Sequence, residues 1–385
     1  MRVYADNAAT TPMSRAAIDA MLPYMDEIYG NPFSLHGAGQ AAAEAMAEAR
    51  ARIARRLGCF PHEITFTSGG SEAVNQAILT AAQSGIKAGK RHVVSTAFEH
   101  PAVRSTLQAL EKDGFEVTWL DVHESGVITA DEVAAAIRPD TCLVTVMYAN
   151  NEIGTIQPIP EIGAVCRKAG VLFHTDAVQA AGYLPIHAAE QNVDLLSLSA
   201  HKFHGPKGVG VLYARQDITL QNLIRGGHQE RGKRAGTENV PAIMGMAAAL
   251  DEVCDRMDAV NARLIPLRDR LIHGLLSIPH TVLNGDPVRR LPNNAHVCFE
   301  GVEGEALLLL LDAKGICASS GAACMSGTLE PSHVLLAVGR SPEAARGALR
   351  LTLGEDVTCR EIDYIIDTVT KAVTILREMS PTTRQ

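Results

Sequence analysis

The stretch Ser197–Gly208, SLSAHKFHGPKG, sets Lys202 between His201 and His204 where an apolar run ends. That run, VDLLSLS from Val193 to Ser199, is short and nearly continuous, as expected of a strand covered on both faces. Gly205, Pro206 and Gly208 follow and forbid a long helix there. A solvated loop lysine would need no such neighbours, so the stretch asks for a chemical reason.

The flanking sequence repeats the pattern. From about Gly58 to Arg215, short β-rich runs alternate with helical ones. EITFTS precedes the helical EAVNQAILTAAQSG, and RHVVSTAF precedes AVRSTLQALEKDG. TCLVTVMYA leads through NNEIGTIQPI to PEIGAVCRKAG; VLFHTDA, VDLLSLS and GVGVLYA complete the set. Apolar strands between helices predict an α/β fold with a mostly parallel sheet covered on both faces. The Ala-rich GQAAAEAMAEARARIARRLG predicts a long helix. A second region begins near Asp251, with helical VNARLIPLRDRLIHGLLSI and GEALLLLLDAKG, strand-like NNAHVCFEGV and GALRLTL, and a final helix from Cys359 to Met379. It reads as a smaller α+β domain.

Bulk properties narrow the partners. The chain has 385 residues, 46% hydrophobic and 20% charged, which fits a globular protein of two domains or one large one. A formal net charge of -8 disfavours nucleic acid and anionic membranes as partners. No apolar run reaches the ~18 residues of a membrane helix, and MRVYADNAATTP lacks a secretory apolar core. A cytoplasmic location is expected. The eight cysteines form no C-x-x-C pair, so no stable metal site is expected.

In open α/β sheets, ligands bind beyond the carboxyl ends of the strands. Five successive ends here deliver polar groups. They are Gly69-Gly70-Ser71-Glu72, Glu99-His100, Asn150-Asn151, Asp176 with Gln179, and His201-Lys202. Each has a bland reading: a tight turn with a helix cap, a surface histidine, a turn, an ion-paired aspartate, a loop lysine. Jointly they are a parts list. A lysine can form an imine, an aspartate can hold a pyridinium proton, a histidine can stack on a flat ring, and a Gly-rich helix start can cradle phosphate. That list describes pyridoxal 5'-phosphate (PLP).

The chain resembles the PLP-dependent cysteine desulfurases of the NifS/IscS type, in the class V aminotransferase group. The resemblance rests on ten ordered motifs. They are YADNAATTP, YGNPFSLHGAG, FTSGGSEAVNQAI, EHPAV, NNEIGTIQPI, HTDAVQAAG, SAHKFHGPKGVG, GGHQERGKRAGTEN, SSGAACMSGTLEPSHVL and ALRLTLG. The early start and the run SGTLEPSHVL lean towards NifS. The resemblance implies the PLP-dependent transferase fold type I, with residues 14–250 as the large PLP-binding domain. Residues 1–13 and 251–385 would form the smaller domain that carries the catalytic cysteine.

The same resemblance implies roles by position. Lys202 carries PLP, Asp176 pairs with the pyridine nitrogen, and Gln179 and Asn151 contact the ring's phenolic side. Gly70, Ser71, Ser199 and His201 bind the phosphate, and Thr237 reaches the phosphate of a partner in a homodimer. His100 stacks on the ring and assists proton transfers, while Arg350 and Asn151 take the substrate carboxylate. Cys324 attacks the sulfur of L-cysteine to give L-alanine and a persulfide. The sulfur then passes to an iron–sulfur scaffold of NifU/IscU type, nitrogenase being one destination. Transient contact between that persulfide and a cluster is the one metal contact implied. The small residues around Cys324 read as a mobile, exposed loop. Two departures stand out: Cys317, read as a buried core thiol, and Glu355-Asp356, where the family usually has an arginine. The alternatives within this chemistry are a selenocysteine lyase and an aminotransferase.

Overall fold

The computed structural model describes residues 1–320 and 331–379. Its strands are β1 (Val3–Tyr4), β2 (Ile64–Thr67), β3 (His92–Thr96), β4 (Glu116–Leu120), β5 (Thr141–Thr145) and β6 (Leu172–Asp176). They continue with β7 (Leu195–Ser199), β8 (Gly210–Ala214), β9 (Thr281–Leu283), β10 (Asn294–Phe299), β11 (Ile316–Cys317) and β12 (Ala348–Thr352). Seven of them form one sheet in the order β2-β8-β7-β6-β5-β3-β4. β8 runs antiparallel to both β2 and β7, and the other pairings are parallel. Six strands therefore share one direction, with β8 reversed among them.

Alternation within each strand explains the three layers. Val93, Leu143, Leu195 and Leu212 join the apolar cluster under the helices Gly70–Lys87 and Pro101–Lys112. Their neighbours Val94, Val144, Leu196 and Val211 join the larger cluster on the opposite face, with residues of the helices Gly37–Leu57 and Val240–Leu276. Period-two side chains thus send apolar groups to both faces, and helices cover both. β4 was not singled out in the sequence: it is an edge strand, mostly half-buried, and it carries the mixed run EVTWL.

A second core surrounds the antiparallel sheet β12-β10-β9, packed by Leu264, Leu271, Ile362 and Ile365. β1 pairs in parallel with β11, stitching the N-terminus beside it. The helix Val240–Leu276 runs for 37 residues, so the division expected near residue 250 falls inside one continuous helix that serves both cores.

One buried ion pair fixes the segment before Thr237. Arg50 donates to both carboxylate oxygens of Glu230, at 2.8 and 2.6 Å, and Phe66 N–H adds a third bond at 2.9 Å. The two side chains are 12% and 1% exposed. Glu230 and Arg231 both have left-handed φ, 48° and 59°, so the turn is strained and held by this pair. Removing one partner leaves a buried charge uncompensated, at a cost of about 3–5 kcal/mol. Arg50→Met should lower the urea midpoint by a matching amount, and adding Glu230→Gln should restore part of it. Equal midpoints for the single and double variants would show that the charge is not what the pair neutralises.

Candidate active site

The five strands β2, β3, β5, β6 and β7 point the same way, so their carboxyl ends meet at one edge of the sheet. A cavity of about 430 Å³ opens there. Ten of the twelve site residues expected from the sequence line it. They are Gly70, Ser71, His100, Asn151, Asp176, Gln179, Ser199, His201, Lys202 and Arg350. Thr237 is exposed and lines a separate cavity of about 180 Å³ with Ser68 and Arg234. Cys324 lies outside the described residues.

Local structure explains each placement. Gly69 has φ 153°, a conformation that favours glycine, and starts the helix Gly70–Lys87. A side chain at Gly70 would sit 2.9 Å from Val178 Cγ2, so glycine keeps this approach open. The first turn of an 18-residue helix faces the cavity with N–H groups that have no partner within the helix. Asn150 builds the turn after β5. Its Oδ1 accepts from Glu152 N–H and Ile153 N–H at 2.8 and 3.0 Å, and its amide donates to Phe98 O. That leaves Asn151 as the residue on the cavity.

Asp176 ends β6 and is buried, with Val178 N–H donating to Oδ1 at 3.0 Å. Burial pushes its carboxyl up from the ordinary carboxylate range, while His100 and then Lys202 pull it back. His100 caps the helix Pro101–Lys112, and its Nδ1 accepts from Ala102 N–H at 3.1 Å. The neutral ring therefore carries its proton on Nε2. Burial holds this imidazole below its usual range. His201 is pushed down to about 4, chiefly by burial and then by Lys202 and Lys207, so it is neutral at physiological pH. Beside them, Glu99 is buried, and burial pushes its carboxyl up to about 8. Its Oε1 accepts from Thr96 hydroxyl and Met147 N–H at 2.6 and 2.9 Å.

The two histidines flanking Lys202 separate. His201 faces the cavity, whereas His204 contacts Pro12 O through Nδ1 at 2.9 Å and lies 3.4 Å from Glu355 through Nε2. Glu355, the departure noted in the sequence, also pairs with Arg256 at 2.8 Å. Cys317 is half-buried in β11 rather than sealed in the core, because β11 and its partner β1 form a two-stranded pair whose Tyr4 is exposed.

The N-terminal segment supplies groups that sequence reasoning missed. Lys202 Nζ donates to Ala8 O and Ala9 O, both at 2.7 Å. Gln179 donates to Ala8 O at 3.0 Å, and Thr10 and Thr11 hydroxyls bond His201 at 3.1 and 3.0 Å. Asp6 holds Arg350 at 2.9 Å. Backbone carbonyls of alanine carry no sequence signal. YADNAATTP was conspicuous only as a motif.

These residues fit PLP. A buried carboxyl group that faces the cavity, with one backbone donor among the described residues, suits a ring-nitrogen proton, a helix start kept open by glycine suits a phosphate, and an amine shares the cavity with both.

The comparisons agree with this geometry. The cysteine desulfurase IscS of Methanosarcina thermophila is 51% identical over 99% of this chain and 94% of its own length. A solved NifS-like protein has a TM-score of 0.91 and 38% identity, covering 97% of this chain and all of its own. SspA, solved in complex with cysteine, has a TM-score of 0.81 and 36% identity over 91% of this chain and 98% of its own. Identity to the IscS relative exceeds that to the NifS-like protein, against the lean read from the sequence. The aminotransferase class-V model matches residues 3–365, and with the PLP-shaped donor set it means that the chain belongs to the class-V aminotransferase family of PLP-dependent enzymes.

Proposed function

We propose that this protein is a cysteine desulfurase. It converts L-cysteine to L-alanine, leaves the sulfur as a persulfide on Cys324, and so supplies iron–sulfur cluster assembly. The observation that carries this reading is the one cavity shared by Lys202, Asp176, His100 and Arg350. The IscS name of the relative and the cysteine bound to SspA support the substrate. The reaction balances without an external redox partner. The C–S bond of cysteine breaks, its sulfur joins that of Cys324, and the carbon left behind takes a proton to become the alanine methyl.

PLP, when bound, supplies the electron sink that makes loss of the α-proton accessible. The chain's residues bind, orient and move protons. Lys202 would hold the cofactor and, once released, shuttle protons at the substrate Cα. Asp176 would keep the ring nitrogen protonated. Gly70, Ser71, Ser199 and His201 would hold the phosphate, and Asn151 and Gln179 the phenolic side. His100, with its proton on Nε2, is suited to stacking and to relaying that proton. Arg350 would take the substrate carboxylate through its planar fork.

We place the enzyme in a homodimer in which Thr237 serves the partner's phosphate site. Its place on a separate cavity of its own chain supports this reading, as do the exposed Leu22, Met25, Tyr29, Phe33 and Leu35. The acceptor is a scaffold of NifU/IscU type. The seven described cysteines are free, which suits a reducing cytoplasm.

Borohydride treatment of the PLP-loaded protein should fix the cofactor on Lys202. Lys202→Ala should lose turnover and keep its fold; a label mapped to another lysine would sink the assignment. Asp176→Asn should still bind PLP while turnover falls by at least about a hundredfold, the scale of losing one electrostatic stabiliser. Near-normal turnover would make the aspartate a cap. After one turnover with cysteine, mass spectrometry should find one added sulfur on Cys324, and none in Cys324→Ala. A persulfide on Cys317 instead would overturn the sulfur route.

A further inference from the structure

Asp6 belongs to a motif that the proposed reaction leaves without a role. Its Oδ1 accepts from Arg350 Nη2 at 2.9 Å, while Arg350 Nη1 donates to Asn151 O at 2.9 Å. The Arg350 side chain is 3% exposed and that of Asp6 20%. Arg350 lines the cavity; Asp6 is not among the lining residues. The carboxylate therefore grips the guanidinium from outside the space a ligand would use. A second acid inside the cavity would compete with a substrate carboxylate, and one outside it need not.

The backbone fixes Asp6 independently of its side chain. Thr352 N–H donates to Ala5 O at 2.7 Å, Asn7 amide to Thr352 O at 2.8 Å, and Ala8 N–H to Thr352 Oγ1 at 2.9 Å. Tyr4 hydroxyl donates to Asp6 O at 3.1 Å. Thr352 is two residues from Arg350 on β12, so anchor and anchored residue hang from one strand. The segment's position does not depend on the carboxylate, so its removal should spare the fold.

We propose that Asp6 is a positioning residue that aims Arg350, so that the N-terminal segment sets how tightly the site takes an amino acid's α-carboxylate. This rests on the reading of Arg350 as the carboxylate-binding residue. An arginine side chain has many rotamers, and freezing them on binding costs affinity. A charge-assisted bond made in advance removes that cost and holds the guanidinium in one place on the cavity wall.

The test uses PLP-loaded wild type, Asp6→Ala, Asp6→Asn and Arg350→Lys. Steady-state kinetics with L-cysteine are joined by absorbance titrations with L-alanine and with ethylamine, which lacks the carboxylate. Asp6→Ala should raise KM for cysteine and Kd for alanine about tenfold or more. Its kcat should stay within a few-fold, and ethylamine should bind all four proteins alike. Asp6→Asn should recover part of the loss, since its amide oxygen still accepts from Nη2. Unchanged alanine affinity in Asp6→Ala beside a loss in Arg350→Lys would overturn the role of Asp6 alone. Tighter alanine binding in Asp6→Ala would show competition instead, and an equal loss with ethylamine would show a collapsed segment. If Arg350→Lys also binds alanine normally, the reading of Arg350 fails, whereas absent cysteine turnover in wild type would indict the proposed function.

Discussion

Asp176 ends a central strand with 6% of its surface exposed and a backbone N–H on Oδ1. A carboxylate so placed is costly unless a cation meets it, and burial accordingly raises its pKa. His100 and Lys202 favour its charge, although burial lowers the tendency of the imidazole to carry a second proton and Lys202 also donates to Ala8 O and Ala9 O. Among the described residues, its charge is answered by one backbone N–H and these two side chains, and it faces the cavity. A protonated ring nitrogen would answer it, which is why the other groups make sense around it: an amine, a phosphate cradle and a flat imidazole on one cavity.

The architecture supplies that arrangement cheaply. Because β8 alone is reversed within the seven-stranded sheet, the useful strands end together, and successive βα turns deliver one or two functional residues each. The second core then contributes Arg350 from β12, and the N-terminal segment closes the wall between the two. That segment bonds Lys202, His201, Gln179 and Arg350. It is the physical link between the sheet that would hold the cofactor and the strand that would hold the substrate.

Much of this was legible in the residues. The strand ends could be read because parallel strands buried on both faces are apolar runs, and whatever polar group follows stands out. The strand-end pattern offers Asn150 and Asn151 alike and only the resemblance picks Asn151; the turn geometry supplies the physical reason, since Asn150 is spent on backbone bonds. Asp6 was hidden because its partner lies 344 residues away, and the alanine carbonyls because every residue has one. β4 escaped notice because an edge strand needs no continuous apolar run. Thr237 was read from family resemblance, and it lines a cavity separate from the one the other site residues share.

The central claim is electrostatic: the buried Asp176 keeps a pyridine nitrogen protonated. It is tested most directly by ¹⁵N NMR of the protein loaded with PLP labelled at the ring nitrogen. The account predicts a pyridinium shift at neutral pH that persists through mildly alkaline pH. A shift typical of neutral pyridine in the folded, loaded protein would contradict it.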